Sequence, residues 1–129
     1  MNVFLFQNRF EAPCLAGSKV HTIRGHRKDG KRRAKVGETV SLRVWTGKPY
    51  RSKQREFAQA VVEEVFPVSV EWNGMRFGTH FYWDKVWLLK LDEVAIKDGF
   101  KDWPEMLNWF DANNGVPFCG VMVKWRLVK

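Results

Sequence analysis

Toward the end of the chain Val121, Val123, Trp125 and Leu127 alternate with Met122, Lys124 and Arg126, and Val40, Leu42 and Val44 alternate with Ser41 and Arg43 in the same way. Successive side chains of a strand leave opposite faces, so both stretches predict strands with one face against a core. Residues 3–6, Val-Phe-Leu-Phe, form the short apolar run of a buried strand, and residues 21–24 read as extended. Residues 58–65 and 68–72 are rich in β-formers and are separated by Pro67. Asn73-Gly74 predicts a hairpin turn after them, because both residues tolerate positive φ. Residues 85–96 predict one or two further strands.

A different period governs residues 103–110. Trp103, Met106, Leu107 and Phe110 recur at i, i+3, i+4 and i+7, one face of a helix. Asp102 and Glu105 form a capping box around Pro104, and Asn113-Asn114-Gly115 stops the helix. Pro13 opens one or two earlier helical turns carrying Cys14 and Leu15, with Gly17 as the C-terminal cap. Residues 25–35 contain no apolar side chain larger than Ala and predict an exposed loop. Residues 46–55, with Gly47 and Pro49, predict a second one. Many short strands with one clear helix predict an α+β fold, a small β-barrel with helices packed around it. No internal repeat or boundary divides residues 1–129, which read as a single domain.

Composition supports a folded core. The 129 residues are 45% hydrophobic and 15% aromatic, with seven Trp and ten Phe, too apolar for a disordered basic tail. No apolar run approaches the ~20 residues of a membrane-spanning helix. The first residues lack the layout of a signal peptide, and the chain is expected to be cytoplasmic. Cys14 and Cys119 are expected to be free, buried thiols. His21, His26 and His80 with these cysteines show no metal-ligand spacing, so neither metal nor cofactor is expected.

Charge narrows the function. The net charge is +8, and it is localised. Residues 19–55 hold 13 Lys/Arg against only Asp29 and Glu38, a net +11, whereas the remainder holds nine Lys/Arg against twelve acids. A localised basic field favours an anionic partner. Arg27, Lys28, Lys31, Arg32, Arg33 and Lys35 in the first loop would neutralise phosphates. Lys48, Tyr50, Arg51 and Lys53 in the second interleave an aromatic ring with cations, which suits single-stranded RNA. Trp45 sits on the polar parity of its strand and Trp109 off the main helical face, so each is a stacking candidate beside the commoner role of filling the core. Just after Gly17, Lys19, Thr22 and Arg24 place an amine, a hydroxyl and a guanidinium within reach of one pocket. Arg24 is the best candidate for a specific contact, because its planar fork matches phosphate or a base edge. In an uninterrupted strand Lys19 and Thr22 face opposite ways, so their convergence requires a bulge or loop at Val20-His21. A lone His21 beside a basic loop is expected to bond phosphate or backbone.

These stretches together resemble an ASCH domain of the PUA-like β-barrel superfamily. Residues 17–24, Gly-Ser-Lys-Val-His-Thr-Ile-Arg, are similar to the family's G-x-K-x-x-T-x-R segment, and residues 36–40, Val-Gly-Glu-Thr-Val, to its x-G-D-x-V. Residues 96–100, Ile-Lys-Asp-Gly-Phe, resemble the x-E-G-F that precedes the helix ending in Trp109-Phe110. The resemblance implies a barrel with a cleft and a protein that binds RNA or a modified nucleoside. Some small members are amidohydrolases that deacetylate N4-acetylcytidine with a lysine, a threonine and a glutamate. Lys19 and Thr22 match the first two, and Asp98 stands roughly where the glutamate would, one methylene shorter. A Lys/Thr/acid triad would need Lys19 to act as base toward Thr22. The expectation is thus a binding module with its cleft at Lys19, Thr22, Arg24 and Asp98, with the amidohydrolase as the alternative and a basic protein-interaction module as the third reading.

Overall fold

A computed structural model describes residues 1–27, 29, 31, 33–77, 80–83 and 88–128, with the backbone alone for 80–83 and 88–89. The chain runs through β1 (Asn2–Phe6), a 3-10 turn (Asn8–Phe10), α1 (Glu11–Ala16), β2 (His21–Gly25), β3 (Thr39–Trp45) and β4 (Gln54–Glu71). There follow β5 (Gly74–Phe77), β6 (His80–Trp83), α2 (Leu88–Lys97), α3 (Trp103–Asn113) and β7 (Phe118–Leu127). The class is α+β, with one mixed seven-stranded sheet and three α-helices among the described residues. No described helix is long and apolar enough to cross a membrane.

β4 organises the sheet. Its 18 residues pair with β3 through Val61 and with β5 from Val68, while β7 runs along residues 60–70. β1 lies parallel to β3, with Phe4 opposite Leu42, and β2 lies antiparallel to β7, with Thr22 opposite Val123. Pro67 does not divide β4 into two strands as expected. It stands in the gap between the β3 and β5 ladders, where a residue without an N–H removes no bond from that edge.

The sheet does not close. β1 and β2 are both edges, and no ladder joins them among the described residues. The barrel expected from the sequence is therefore an open sheet among the described residues, with a gap between β1 and β2. A side chain bridges it: Arg24 on β2 donates from Nη2 to the carbonyl of Leu5 on β1 at 2.7 Å.

The core follows the predicted alternation only in part, because Ser41 and Met122, on the faces read as polar, are buried as well, and Val121 and Leu127 are only half-buried. Val40, Leu42 and Val44 are buried, as are Val123 and Trp125, with Val62, Val70 and Met75 from the neighbouring strands. α3 forms as its capping box demands, the Asp102 side chain accepting from the Glu105 N–H at 2.9 Å, and it buries Trp103, Met106 and Phe110. The expected strand over residues 85–96 is replaced, where described, by α2. Leu91 and Ala95 are buried one turn apart with Val94 beside them, so the segment packs as a helix, against α3. Short apolar runs rich in β-branched residues fit either structure, and here the helical neighbour decides. The β4–β5 hairpin turns at Trp72-Asn73, one residue earlier than expected, because Gly74 already pairs with Glu71.

Candidate active site or binding cleft

Two helix ends meet at the site. α1 stops at Gly17, whose φ of 83° is left-handed; the N–H of Gly17 bonds Cys14 O at 3.2 Å and that of Ser18 bonds Pro13 O at 3.1 Å. α2 stops in the same way, with Gly99 N–H on Ile96 O at 3.0 Å and Phe100 N–H on Ala95 O at 2.8 Å. This paired pattern is the Schellman closure, which needs a residue free to take positive φ. Gly99 is required for a second reason: a Cβ there would lie 2.8 Å from Phe10 Cδ1 and 2.9 Å from Lys19 Cδ. The first helix end delivers Lys19, and the second delivers Asp98.

Lys19 serves the end of α2 as a cation. Its Nζ donates to the Asp98 carbonyl, to the His21 carbonyl at 2.8 Å and, at 3.4 Å, to Asp98 Oδ1. The Val20 N–H takes the Lys97 carbonyl at 2.8 Å. Terminal carbonyls of a helix lack intrahelical partners and carry partial negative charge, so an ammonium is favoured there. The aliphatic stem and head lie among aromatic rings, with Nζ 4.9 Å from the Phe10 centroid and 5.5 Å from that of Phe6. Only 3% of Lys19 is exposed, and burial pulls its pKa below 10.5 against the opposing pull of Asp98.

His21 completes this buried group. Its Nδ1 lies 2.9 Å from Asp98 Oδ1, so a proton on that nitrogen is donated to the carboxylate. The sequence reading assigned His21 to phosphate or backbone; the structure gives it to Asp98, 77 residues away. The parity conflict between Lys19 and Thr22 is resolved because Lys19 precedes the ladder. Its own N–H bonds Pro13 O at 3.0 Å, and β2 begins only at His21.

Thr22 Oγ1 accepts from Arg24 Nε at 3.2 Å. No hydrogen bond joins Thr22 to Lys19 or Asp98 among the described residues; the three share a cavity instead. Arg24 stacks its guanidinium on Phe6, 4.8 Å from the centroid. Burial, and then the neighbouring Arg33, brings its pKa down to about 10.

The cavity holds about 260 Å³ and opens between the β1 and β2 edges. Lys19, Thr22, Arg24 and Asp98 contribute its polar wall. Phe10, Phe100, Trp109, Phe110 and Phe118 contribute rings, and Gln7, Asn113 and Asn114 amides. Trp109 is half-buried, edge-on to Phe10 at 5.7 Å, with its Nε1 on Gln7 Oε1 at 3.2 Å. Of this aromatic wall only Trp109 was marked in the sequence as a site candidate, because the rings come from separate places: the 3-10 turn, the stop after α2, α3 and the first residue of β7.

The basic loops lie outside this cavity. Arg27, Lys31, Arg33 and Lys35 line a separate open depression with Asn2 and Glu38. The first loop is less exposed than expected: Gly25 belongs to β2, Ala34 is buried, and Arg33 is half-buried with Nε on Gly25 O at 2.7 Å. Arg27 is paired with Asp29 at 2.8 Å. Lys28 and Arg32 fall outside the described residues. Lys48, Tyr50, Arg51 and Lys53 are exposed between β3 and β4, as expected. Both cysteines are free, but only Cys14 is buried, its thiol pushed up to about 11 by burial; Cys119 is exposed.

No family model, curated protein or solved structure matches this chain.

Proposed function

We propose that this chain is a PUA-like module of the ASCH type that binds RNA or a modified nucleoside through the cleft between β1 and β2. The observation that carries the reading is the composition of the cavity, which brings aromatic rings together with Thr22, Arg24 and Asp98. Its 260 Å³ lies just below the ~300 Å³ at which ligand pockets begin, room for one heteroaromatic ring with its sugar at the mouth. Rings recognise a base by stacking, and fixed polar groups read its edge. Arg33, which lines the separate depression yet lies near enough to lower the pKa of Arg24, adds positive charge beside the cavity and favours a ligand bearing phosphate. Titration of single-stranded RNA and of nucleosides tests this. Binding weakened about ten-fold by Trp109→Ala is expected, as for loss of one stacked base. Absence of binding to both ligands at low salt would overturn it.

The amidohydrolase reading is favoured by one observation, the buried Lys19 whose pKa is lowered next to an acid, on the same cavity as Thr22. Its three donor contacts work against it. A lysine activating Thr22 needs a lone pair, and Nζ is committed to three oxygens. Turnover would therefore require substrate to displace one of them. Cytidine released from N4-acetylcytidine, and abolished by both Lys19→Ala and Thr22→Ala, would establish the enzyme; its absence would leave the binding module.

A further inference from the structure

A second hollow of about 460 Å³ adjoins the first, and the two share Leu5, Phe6, Gln7 and Arg24 as a common wall. Its far side is made by Trp45 and Tyr50, tilted rings with centroids 5.2 Å apart. Tyr50 is unusual in two ways. It is 88% exposed, and its φ of 63° is the one left-handed value at a non-glycine residue among those described. Such backbone costs on the order of 1 kcal/mol or more, and an exposed ring gains little burial in return. The loop holds it there by its own bonds: Gly47 N–H on Ser52 Oγ, Ser52 Oγ–H on Lys48 O, and Thr46 N–H on Lys53 O, each 2.9 Å. Strain kept by a braced loop, on a ring facing water, points to contact with something outside the chain.

Arg24 stands between the hollows with binding capacity unused. It has no salt bridge to a carboxylate among the described residues. One Nε and one Nη2 proton serve Thr22 and Leu5, which leaves three of its five N–H groups without a hydrogen-bonded partner among the described residues. A guanidinium between a closed aromatic pocket and an open aromatic platform matches the order base, phosphate, base.

Resting on the reading of the first cavity as a base pocket, we infer that the ligand is a step of a single nucleic-acid strand rather than a free nucleoside. One base enters the cavity, the connecting phosphodiester lies on Arg24, and the next base stacks on Tyr50 and Trp45. Lys48 and Lys53, exposed on the same loop, face the continuing strand's charge.

The test is a comparison of affinities for the four nucleosides A, C, G and U and the ribodinucleoside monophosphates ApA, CpC, GpG and UpU, at one fixed low salt concentration. The best dinucleotide is expected to bind at least about ten-fold tighter than its nucleoside, since a stacked base contributes ~5- to 150-fold. Tyr50→Ala, at an exposed position where folding is safe, is expected to lower that ratio about ten-fold; Arg24→Gln is expected to lower it as well. Equal binding of dinucleotide and nucleoside, or a ratio unmoved by Tyr50→Ala, would overturn the strand step while leaving the base pocket standing. Failure of all eight probes to bind would instead remove the pocket reading, and this inference with it.

Discussion

The same residue types do opposite work in two regions of this protein. Lys19, His21 and Asp98 are almost wholly buried, and the Lys19 ammonium, His21 Nδ1 and Asp98 Oδ1 are bonded to one another or to backbone carbonyls. Lys31, Lys35, Lys48, Arg51 and Lys53 are exposed on loops whose cations outnumber their acids. A buried charge must be matched by partners, or folding bears the full cost of removing it from water. An exposed charge costs folding little and acts over a distance, through the field it presents to an anion. The comparison teaches that the basic character seen in composition belongs to the exposed loops, whereas the lysine that lines the cavity is an architectural cation closing a helix.

Substitution inside the buried group is the most severe way to break this contrast. Asp98→Ala is expected to lower stability by about 3–5 kcal/mol, because it strands a buried ammonium. Urea denaturation measures it, and a loss below ~1 kcal/mol would place the group in water. Lys19→Met with Asp98→Leu is expected to lose less than the two single changes summed, since neither charge is then left alone. Gly99→Ala comes next, at about 2–3 kcal/mol, from the left-handed φ of 100° and the contacts its Cβ would make with Phe10 and Lys19. Thermal denaturation of that variant with an unchanged midpoint would mean that the α2 end is not held as described.

Alkaline titration sharpens the comparison further, with two buried groups of opposite sign. Lys19 is held below 10.5, so the unfolded chain binds its proton where the folded chain has released it, and stability rises with pH through that range. Cys14 is raised from 9.0 to about 11, so the folded chain keeps its proton longer and stability falls across that window. Cys14→Ala removes the fall. Its stability relative to the parent protein is expected to grow by about 2 kcal/mol between pH 8 and 11. Parallel curves would mean that the thiol is hydrated. The smallest structural effect belongs to the exposed loops. Lys31→Ala with Lys35→Ala is expected to change stability by less than ~0.5 kcal/mol, yet to flatten the salt dependence of single-stranded RNA binding by about 1.4 in log–log slope. An unchanged slope would remove that depression from the interface.

Much of the fold was legible because its signals are local. The capping box at Asp102, the stops at Gly17 and Gly115 and the alternation in β3 and β7 each depend on a few neighbouring residues. α2 was misread although Leu91, Val94 and Ala95 hold helical spacing, because its β-branched and aromatic flank masked the period. The candidate site was legible in part. Lys19, Thr22, Arg24 and Asp98 do line one cavity, but the partner of His21 and the rings from Phe10 and Phe118 carried no signal in the chain.

The sequence by itself determined where α1 stops, where α3 begins and stops, and that β3 and β7 are strands, because φ preference, capping and hydrogen bonds within about five residues suffice for that. Only the tertiary structure decided that β1 and β2 stay apart with Arg24 across the gap, and that a lysine and an aspartate 79 positions apart share one buried bond. Those outcomes depend on which edges and helix ends the whole topology brings together, and on how little water remains between them.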